Sequence, residues 1–521
     1  MASTLIHQSP REATRLGATF ETARVPWVRV AAPALLIALI LGWGAARVYP
    51  LYDDAWMQML TRESGANLLV ASMPDRPVYG WMLRIPLFAG THATLLMVAL
   101  NSILWLILGG QAARMWVELF PGLSRYAPAA ACIAMAPIVA TCQWTTGVTN
   151  IQIVPVALGY AAAIRLLRYV RGEQGSLVIA PVYIVLAALV SEYILPVSAA
   201  IAVLLLPSLR EQGKRTRRAL LILCAATVLG YALFLAMSDT HFRPSVQPGV
   251  AAETAAKKPA TVLVNVINGT WRAVVADYGT ALGGVAVYWD SKSTMLAAAL
   301  GGLVSLLLLF TCRSSGHTRE SRPPWTVCLV AIAATLVGLF PVAIMGRSTV
   351  LPGFGSRFLL PILPCAVAAT PGLLLHITEN FRQITLGFLG LAIGYSTVMS
   401  LHSIQQEHQT MIAIGRAMKP LVAASEGNIA AVVNRQGIDY EFTAKATQGW
   451  DVRFERRFWL FDRDLGEKLL GRRRACIQPQ ALDVHQRSVE RTGSIQQALW
   501  IETREDKIVS IEPYCQSGIL P

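Results

Sequence analysis

Apolar runs of membrane-spanning length recur along most of the chain and limit the folds open to it. A helix that crosses the hydrocarbon core of a bilayer needs ~20 mostly apolar residues, and such runs recur from Trp27 to Met399. The 521 residues are 54% hydrophobic and 15% charged, with a mean hydropathy of +0.47. A soluble protein of this length carries more charge. The sequence therefore predicts a mostly α-helical, polytopic membrane protein.

The charge distribution indicates a membrane protein rather than a nucleic-acid-binding one. The formal net charge is +14, but Lys and Arg occur in short clusters between the apolar runs. Basic clusters on alternate loops follow the positive-inside rule, whereas nucleic-acid binding needs one basic face. We therefore expect no nucleic-acid partner, and we place the N-terminal tail, residues 1–26, in the cytoplasm.

Periodicity and charge predict about eleven spans within a transmembrane domain covering residues 27–400. The expected spans lie at Trp27–Val48, Ala93–Gly110, Pro128–Thr141, Ile151–Ile164, Leu177–Pro207 as two short spans, Leu220–Met237, Met295–Phe310, Trp325–Met345, Phe358–Leu375 and Ile384–Met399. This order puts the N-terminus inside and the C-terminus outside.

The run from Leu177 to Pro207 contains Glu192 in its middle and allows two interpretations. It forms either two short spans with an outer corner at Glu192 or one tilted helix with a buried glutamate. With a corner, the basic stretches Arg210–Arg218 and Arg313–Arg322 fall inside, in agreement with the positive-inside rule. We therefore prefer the corner.

Two long outer loops are expected, at residues 50–90 and 238–290. In the second, Leu263, Ile267, Trp271, Val274 and Tyr278 recur at helical spacing. This pattern predicts an amphipathic helix that lies in the outer membrane interface.

The composition changes after Leu401, where apolar runs shorten and charged residues appear throughout. Ile429–Val433 and Leu499–Ile501 are predicted strands. We expect residues 401–521 to form a small extracytoplasmic, periplasmic α/β domain. Cys476 and Cys515 lie in it, and an oxidising compartment would allow one disulfide between them.

Two adjacent carboxylates, Asp53 and Asp54, follow the first span on its outer side. Carboxylates at a membrane edge need water, a cation or a partner. Close acids also tend to differ in pKa, which suits a catalytic base or a metal ligand. The alternative is the first turn of a helix, which acids stabilise through the helix dipole.

Together with Asp75-Arg76-Pro77 before the second span, this arrangement resembles the GT-C superfamily of membrane glycosyltransferases. Their first extracytoplasmic loop carries an acidic residue or pair that acts as the base or helps to bind a metal. The resemblance implies that Asp53 and Asp54 are catalytic, or hold a divalent ion if one is used. The resemblance does not decide which of the two is the base.

A second motif, Arg357-Phe358-Leu359-Leu360-Pro361-Ile362-Leu363-Pro364, resembles the entry to a late span in GT-C enzymes. There, an arginine lies near the donor phosphate, and a tyrosine is common where this chain has Phe358. The fork-shaped donors of arginine suit phosphate oxygens, although an interfacial arginine also contacts lipid headgroups. Arg347 is a further candidate for phosphate binding, and Arg76 either contacts a phosphate or pairs with a carboxylate.

Other polar residues on the outer side complete the set of candidates. Asp75, Glu192 and Tyr193 are candidate substrate-binding residues, and a capped helical corner is the alternative role for Glu192-Tyr193. His92 and His241 lie near the outer edge without metal-ligand spacing. No phosphate-binding loop, serine-hydrolase elbow or zinc-protease motif occurs.

The resemblance implies an inverting glycosyltransferase. It would transfer a sugar from a polyprenyl-phosphate donor to an envelope glycan, lipid or protein on the outer face of the inner membrane. The competing hypothesis is a transporter or flippase of a lipid-linked precursor. Such a protein typically has charged residues inside spans and interrupted helices in two related halves. A third possibility is a scaffold that displays the C-terminal domain.

Overall fold

The computed structural model of the chain is a helical bundle joined to a mixed β-sheet. It describes residues 27–48, 76–87, 92–139, 151–173, 176–238, 253, 256, 258–279, 292–313, 325–345, 353–377, 381–424, 429–435, 438–445, 449–454, 475–476, 497–504, 507–513 and 515–516. The first helices are α1 (Trp27–Val48), α2 (Pro77–Leu87), α3 (Ala93–Leu119), α4 (Ala127–Met135), α5 (Ile153–Arg171), α6 (Ser176–Val190) and α7 (Ile194–Leu205). They are followed by α8 (Gly213–Met237), α9 (Pro259–Trp271), α10 (Lys292–Thr311), α11 (Trp325–Ile344), a 3-10 helix (Gly353–Ile362), α12 (Leu363–Ile377) and α13 (Arg382–Ala424).

Among the described residues, six helical stretches are long and apolar enough to cross a membrane. They are α1, α5, α8, α11, most of α3, and Phe358–His376, while α6, α7 and α10 supply shorter apolar helices. Large apolar side chains such as Leu221, Val228 and Phe310 are exposed. Lipid rather than water is the natural environment of such a surface. The prediction of a mostly α, polytopic bundle is confirmed.

The third expected span, Pro128–Thr141, differs from the prediction. Helix α4 has only nine residues, all of them buried, and it ends at Ala136, whose backbone is extended. A Cβ atom at Gly109 of α3 would lie 2.7 Å from Met135 Sδ, so α4 packs tightly against α3. The apolar run therefore marks an interior segment, which periodicity alone does not distinguish from a lipid-crossing helix.

The chain reverses direction at Glu192. Near the starts of α6 and α8, a Cβ atom at Gly172 would lie 3.2 Å from an Arg215 guanidinium nitrogen. Further along both helices, a Cβ at Gly230 would lie 2.7 Å from Ala188 Cβ. Helices α6 and α8 are therefore parallel. Helix α7, which connects them in the sequence, runs in the opposite direction. The predicted corner is confirmed, and the single tilted helix is wrong.

Two polar contacts fix the path of α7 against α8. The hydroxyls of Ser198 and Thr227 lie 2.8 Å apart, and Thr216 Oγ1 donates to the Ser208 carbonyl at 3.1 Å. Since these contacts join the start of α7 to the second half of α8, and the turn that follows α7 to the start of α8, the two helices are antiparallel.

The bundle has two distinguishable ends. At one, which we call the basic end, Glu118 accepts hydrogen bonds from Arg168 and Arg171 at 2.6 Å each. Arg114 lies over the Trp27 ring at the same end, 5.0 Å from its centroid. The opposite end, which carries Glu192, we call the corner end.

Helix α9 packs against α11 and continues through a π-helical turn, Arg272–Ala276, which contacts α12. Thr370 of α12 donates to the Val274 carbonyl at 2.7 Å. Of the predicted apolar face, Leu263, Ile267 and Trp271 are exposed, and only Val274 and Tyr278 are buried. The five residues therefore do not share one face, and the prediction of a single apolar face is wrong. The π turn inserts a residue and rotates the face that follows it.

Helix α13 has 43 residues, about 65 Å at 1.5 Å per residue, which is roughly twice a hydrocarbon core of about 30 Å. Leu401 of α13 contacts Gly44, seventeen positions after Trp27 and thus toward the corner end of α1. The helix therefore leaves the bundle at the corner end. It also continues across residue 400, where we expected the transmembrane domain to stop.

Helix α13, which ends four residues before β1 begins, contacts a five-stranded sheet in the order β3-β2-β1-β5-β6. The strands are β1 (Ile429–Arg435), β2 (Ile438–Lys445), β3 (Gly449–Phe454), β5 (Gln497–Arg504) and β6 (Lys507–Pro513), with β4 (Ala475–Cys476) and β7 (Cys515–Gln516) as a separate pair. Strands β1 and β5 pair in parallel and the remaining pairs are antiparallel. The strands predicted at 429–433 and 499–501 are confirmed.

Candidate functional site

Arg76 and Glu192 form a buried ion pair at the corner end. Arg76 Nε donates to Glu192 Oε2 at 3.0 Å, and Arg76 Nη2 donates to Oε1. The two residues are 8% and 4% exposed and 116 positions apart in the sequence. This two-bond geometry matches the guanidinium fork to both carboxylate oxygens. It joins the start of α2 to the corner between α6 and α7.

Neighbouring groups orient the carboxylate. Ser191 Oγ donates to Glu192 Oε2 at 3.0 Å, and the Tyr193 backbone N–H donates to Ser191 Oγ at 3.4 Å. The Arg76 guanidinium also lies 5.7 Å from the centroid of the Tyr79 ring, one turn further along α2. A buried charge is stable only when it is paired and hydrogen-bonded. These contacts meet that condition for Glu192.

The 3-10 helix Gly353–Ile362 reaches the same region of the bundle. Tyr160 of α5, which is fully buried, donates its hydroxyl to the Pro361 carbonyl at 2.9 Å. Its hydroxyl also lies 3.3 Å from Cys365 Sγ. Tyr160 therefore fixes the end of the helix that carries Arg357.

Ile362, which follows Pro361 and ends the 3-10 helix, lies beside the first turn of α7. A Cβ atom at Gly338 would lie 2.6 Å from Ile362 Cγ2 and 3.1 Å from the Pro196 carbonyl oxygen. Pro196 follows Glu192 by four residues. The end of the 3-10 helix therefore lies beside the first turn of α7, close to the corner end.

The structure describes only some of the predicted site residues. The structure brings Arg76 and Glu192 together, and it buries Tyr193 beside them. For Arg357 it describes the backbone within the 3-10 helix, and its side chain lies outside the described part. The candidates that lie wholly outside the described residues are Asp53, Asp54, Asp75, Arg347 and His241. His92 is exposed at the start of α3.

Three polar residues in and around this region were not singled out in the sequence. Tyr79 and Ser191 accompany the ion pair, and Tyr160 holds the 3-10 helix. The sequence contained one indication of the role of Tyr160, because a tyrosine within a buried span needs a hydrogen-bond partner for its hydroxyl.

A second, partly buried ion pair lies on the π turn that follows α9. Arg272 Nε donates to Asp277 Oδ1 at 3.1 Å, and the two side chains are 14% and 10% exposed. The π turn accounts for this contact between residues five positions apart.

No metal centre is visible in the part of the chain that the structure describes. Within it, no group of three or more His, Cys, Asp and Glu side chains is arranged to hold an ion. Asp53 and Asp54, the acids proposed for a divalent ion, are outside that part.

Comparisons with known proteins yield one structural likeness. The crystal structure of the Archaeoglobus fulgidus oligosaccharyltransferase in complex with Zn and sulfate aligns with 74% of this chain and 55% of its own. The identity is 16% and the TM-score is 0.40. The chain thus spans about half the length of that protein, and a likeness of this size assigns no activity. No family model matches, and no curated protein matches.

Proposed function

We propose that the protein is a GT-C-type membrane glycosyltransferase with its active site at the corner end. One observation carries the proposal: segments that bear candidate residues converge there from distant parts of the sequence. They are the start of α2 with Arg76, the corner with Glu192, and the end of the 3-10 helix that carries Arg357, where Ile362 lies beside the first turn of α7. The first-loop motif and the Arg-Phe-x-x-Pro motif give this convergence a chemical interpretation.

The proposed donor is a sugar linked to polyprenyl phosphate. Its prenyl tail stays in lipid while its phosphate reaches polar groups at the edge of the bundle. Arg357, with Arg347, binds the phosphate and stabilises the charge that develops on it as the sugar leaves. Tyr160 contributes indirectly, since its hydrogen bond to Pro361 fixes the helix on which Arg357 lies.

The proposed reaction is a single inverting displacement. An acceptor hydroxyl attacks the anomeric carbon, and the bond from that carbon to the phosphate oxygen breaks. Asp53 or Asp54 takes the hydroxyl proton as the general base. In the alternative arrangement, the two carboxylates would hold a divalent ion, which would supply positive charge to stabilise the departing phosphate. The acceptor is a glycan, lipid or protein of the cell envelope.

We assign Arg76 and Glu192 a positioning role rather than direct contact with substrate. The guanidinium of Arg76 is engaged by the Glu192 carboxylate through two bonds. Asp75 precedes Arg76 in the chain, so the ion pair restrains the end of the loop that carries the acids. Tyr193 and Asp75 remain candidates for contact with the substrate.

The C-terminal sheet is proposed to lie outside the membrane on the side of the active site. Helix α13 leaves the bundle at the corner end and contacts the sheet. This placement suits a role in acceptor recognition. With the basic end in the cytoplasm, as the positive-inside rule requires, the active site and the sheet face the periplasm.

The competing function, a flippase for a lipid-linked precursor, is favoured by the partly buried pair Arg272–Asp277. Ionisable residues inside a helical bundle often line a transport path. Asp277→Asn distinguishes the two functions when glycan transfer and precursor translocation are measured separately. Loss of translocation with transfer retained would favour the flippase. A test of the enzyme itself is complementation of a deletion strain with variants of Asp53 and Asp54, read out on envelope glycans.

A further inference from the structure

A cluster of cations at the basic end has no part in the proposed reaction. We call it the basic ledge; it consists of Arg210, Lys214, Arg215, Arg217 and Arg218. All five residues are exposed. Within residues 210–218 the only carboxylate is Glu211, so five positive charges less one negative charge leave a net charge of +4.

The cations of the basic ledge differ from Arg168 and Arg171 at the same end, because no carboxylate among the described residues neutralises their charge. Arg168 and Arg171 both bond the carboxylate of Glu118, which is 6% exposed. Among the described residues, none of the five ledge cations takes part in an ion pair with a carboxylate. Their charge is therefore available to an external anion.

The backbone of the ledge is held in place by polar contacts. Thr216 is buried, and its hydroxyl donates to the carbonyls of Ser208 and Gln212 at 3.1 Å each. The Gln212 N–H donates to the Ser208 carbonyl at 2.8 Å. Arg215 packs over Gly172, whose φ of 120° suits glycine. The cations thus project from a defined turn between α7 and α8.

An exposed apolar surface begins immediately beyond the ledge. On α8, Leu221 is 70% and Val228 is 69% exposed, and on the parallel helix α6, Val178 is 76% and Val182 is 54% exposed. Such a surface on a bundle of apolar helices faces acyl chains. Cations at its rim therefore lie at the depth of lipid headgroups.

We propose that the basic ledge is a binding site for anionic phospholipids of the bilayer. The phosphate of the headgroup would lie among the ledge arginines, whose guanidinium groups bind phosphate oxygens through paired hydrogen bonds. The acyl chains would lie along α6 and α8. Because the ledge has an uncompensated charge of +4, it favours anionic headgroups such as phosphatidylglycerol over zwitterionic phosphatidylcholine.

The test uses the full-length protein purified in detergent and native mass spectrometry. Equal amounts of phosphatidylglycerol and phosphatidylcholine are added, and the lipid that remains bound is identified. The wild type is expected to retain phosphatidylglycerol preferentially. Arg215→Gln with Arg218→Gln is expected to lower that preference roughly tenfold, since each cation near a charged lipid surface contributes several-fold in affinity. Arg215→Lys with Arg218→Lys keeps the charge and should retain most of the preference.

A control pair, Arg504→Gln with Lys507→Gln, removes two exposed cations from the sheet at the other end of the molecule. It should leave the lipid preference unchanged. Equal retention of both lipids by the wild type would overturn the proposal. So would a glutamine variant with unchanged preference, or displacement of the lipid by inorganic phosphate alone, which would indicate a site for free phosphate. None of these outcomes depends on the glycosyltransferase activity.

Discussion

Arg76 and Glu192, 116 residues apart in sequence, meet in a buried ion pair in which the guanidinium Nε lies 3.0 Å from a carboxylate oxygen. The pair joins the start of α2 to the corner between α6 and α7. Ser191 and Tyr79 complete its surroundings. Arg76 follows in the sequence the segment that carries the candidate catalytic acids Asp53 and Asp54, and the pair holds Arg76 against the bundle.

Removal of either partner of this pair should destabilise the protein strongly. Arg76→Ala leaves the Glu192 carboxylate buried and unpaired, a change that costs about 3–5 kcal/mol. Denaturation of the purified protein measures the loss. The exchanged pair, Arg76→Glu with Glu192→Arg, should recover part of the stability and part of the transfer activity.

The matched control is Arg171→Ala at the basic end, where Glu118 keeps Arg168 as a partner. Its effect should be smaller. Equal effects of Arg76→Ala and Arg171→Ala would contradict the importance assigned to the corner pair. An exchanged pair that regains stability without any activity would instead assign Arg76 or Glu192 a direct contact with substrate.

Tyr160→Phe tests the support of the 3-10 helix. The variant leaves the buried Pro361 carbonyl without its hydrogen bond, which costs about 1–3 kcal/mol. Because that helix carries Arg357, the KM for the lipid-linked donor should rise more than kcat falls. Steady-state kinetics measure both quantities.

Tyr169→Phe is the control for this change, since Tyr169 is on the same helix, is buried, and forms no hydrogen bond through its hydroxyl within the described residues. It should leave both constants close to wild type. An unchanged KM for the donor in Tyr160→Phe would show that Tyr160 does not support donor binding.

The positions of the basic end and the corner end predict how the protein is oriented in the membrane. A reporter active only in the cytoplasm should give a signal when it is inserted at Gly213, where an added Cβ atom would meet nothing within 4 Å. A reporter active only outside the cytoplasm should give a signal at the C-terminus. An outside signal at Gly213 would reverse the whole topology.

The register of the small two-stranded sheet pairs Cys476 of β4 with Cys515 of β7. Directly opposed positions on antiparallel strands have Cα separations within the range of disulfides. We therefore predict a disulfide in protein isolated from an oxidising compartment. Thiol labelling with and without reductant measures it, with Cys476→Ser as the control. Full labelling without reductant would refute the disulfide and weaken the periplasmic placement.

Sequence patterns identified the helical bundle and the corner at Glu192, because hydropathy and the positive-inside rule act on local stretches. The partner of Glu192 was not identified, since nothing local relates two residues 116 positions apart. The face of α9 was misassigned because a constant helical period does not anticipate a π turn. Tyr160 was missed because a tyrosine in an apolar run also fits ordinary packing.

The central claim is tested most directly by the acids of the first loop. A strain that lacks the protein is complemented with the wild type, Asp53→Asn or Asp54→Asn, expression in the membrane is matched, and the envelope glycans are analysed by mass spectrometry. We predict that the deletion removes one sugar from an envelope glycan, that the wild type restores it, and that at least one of the asparagine variants does not. Full restoration by both variants, or a deletion that alters no envelope glycan, would contradict the account.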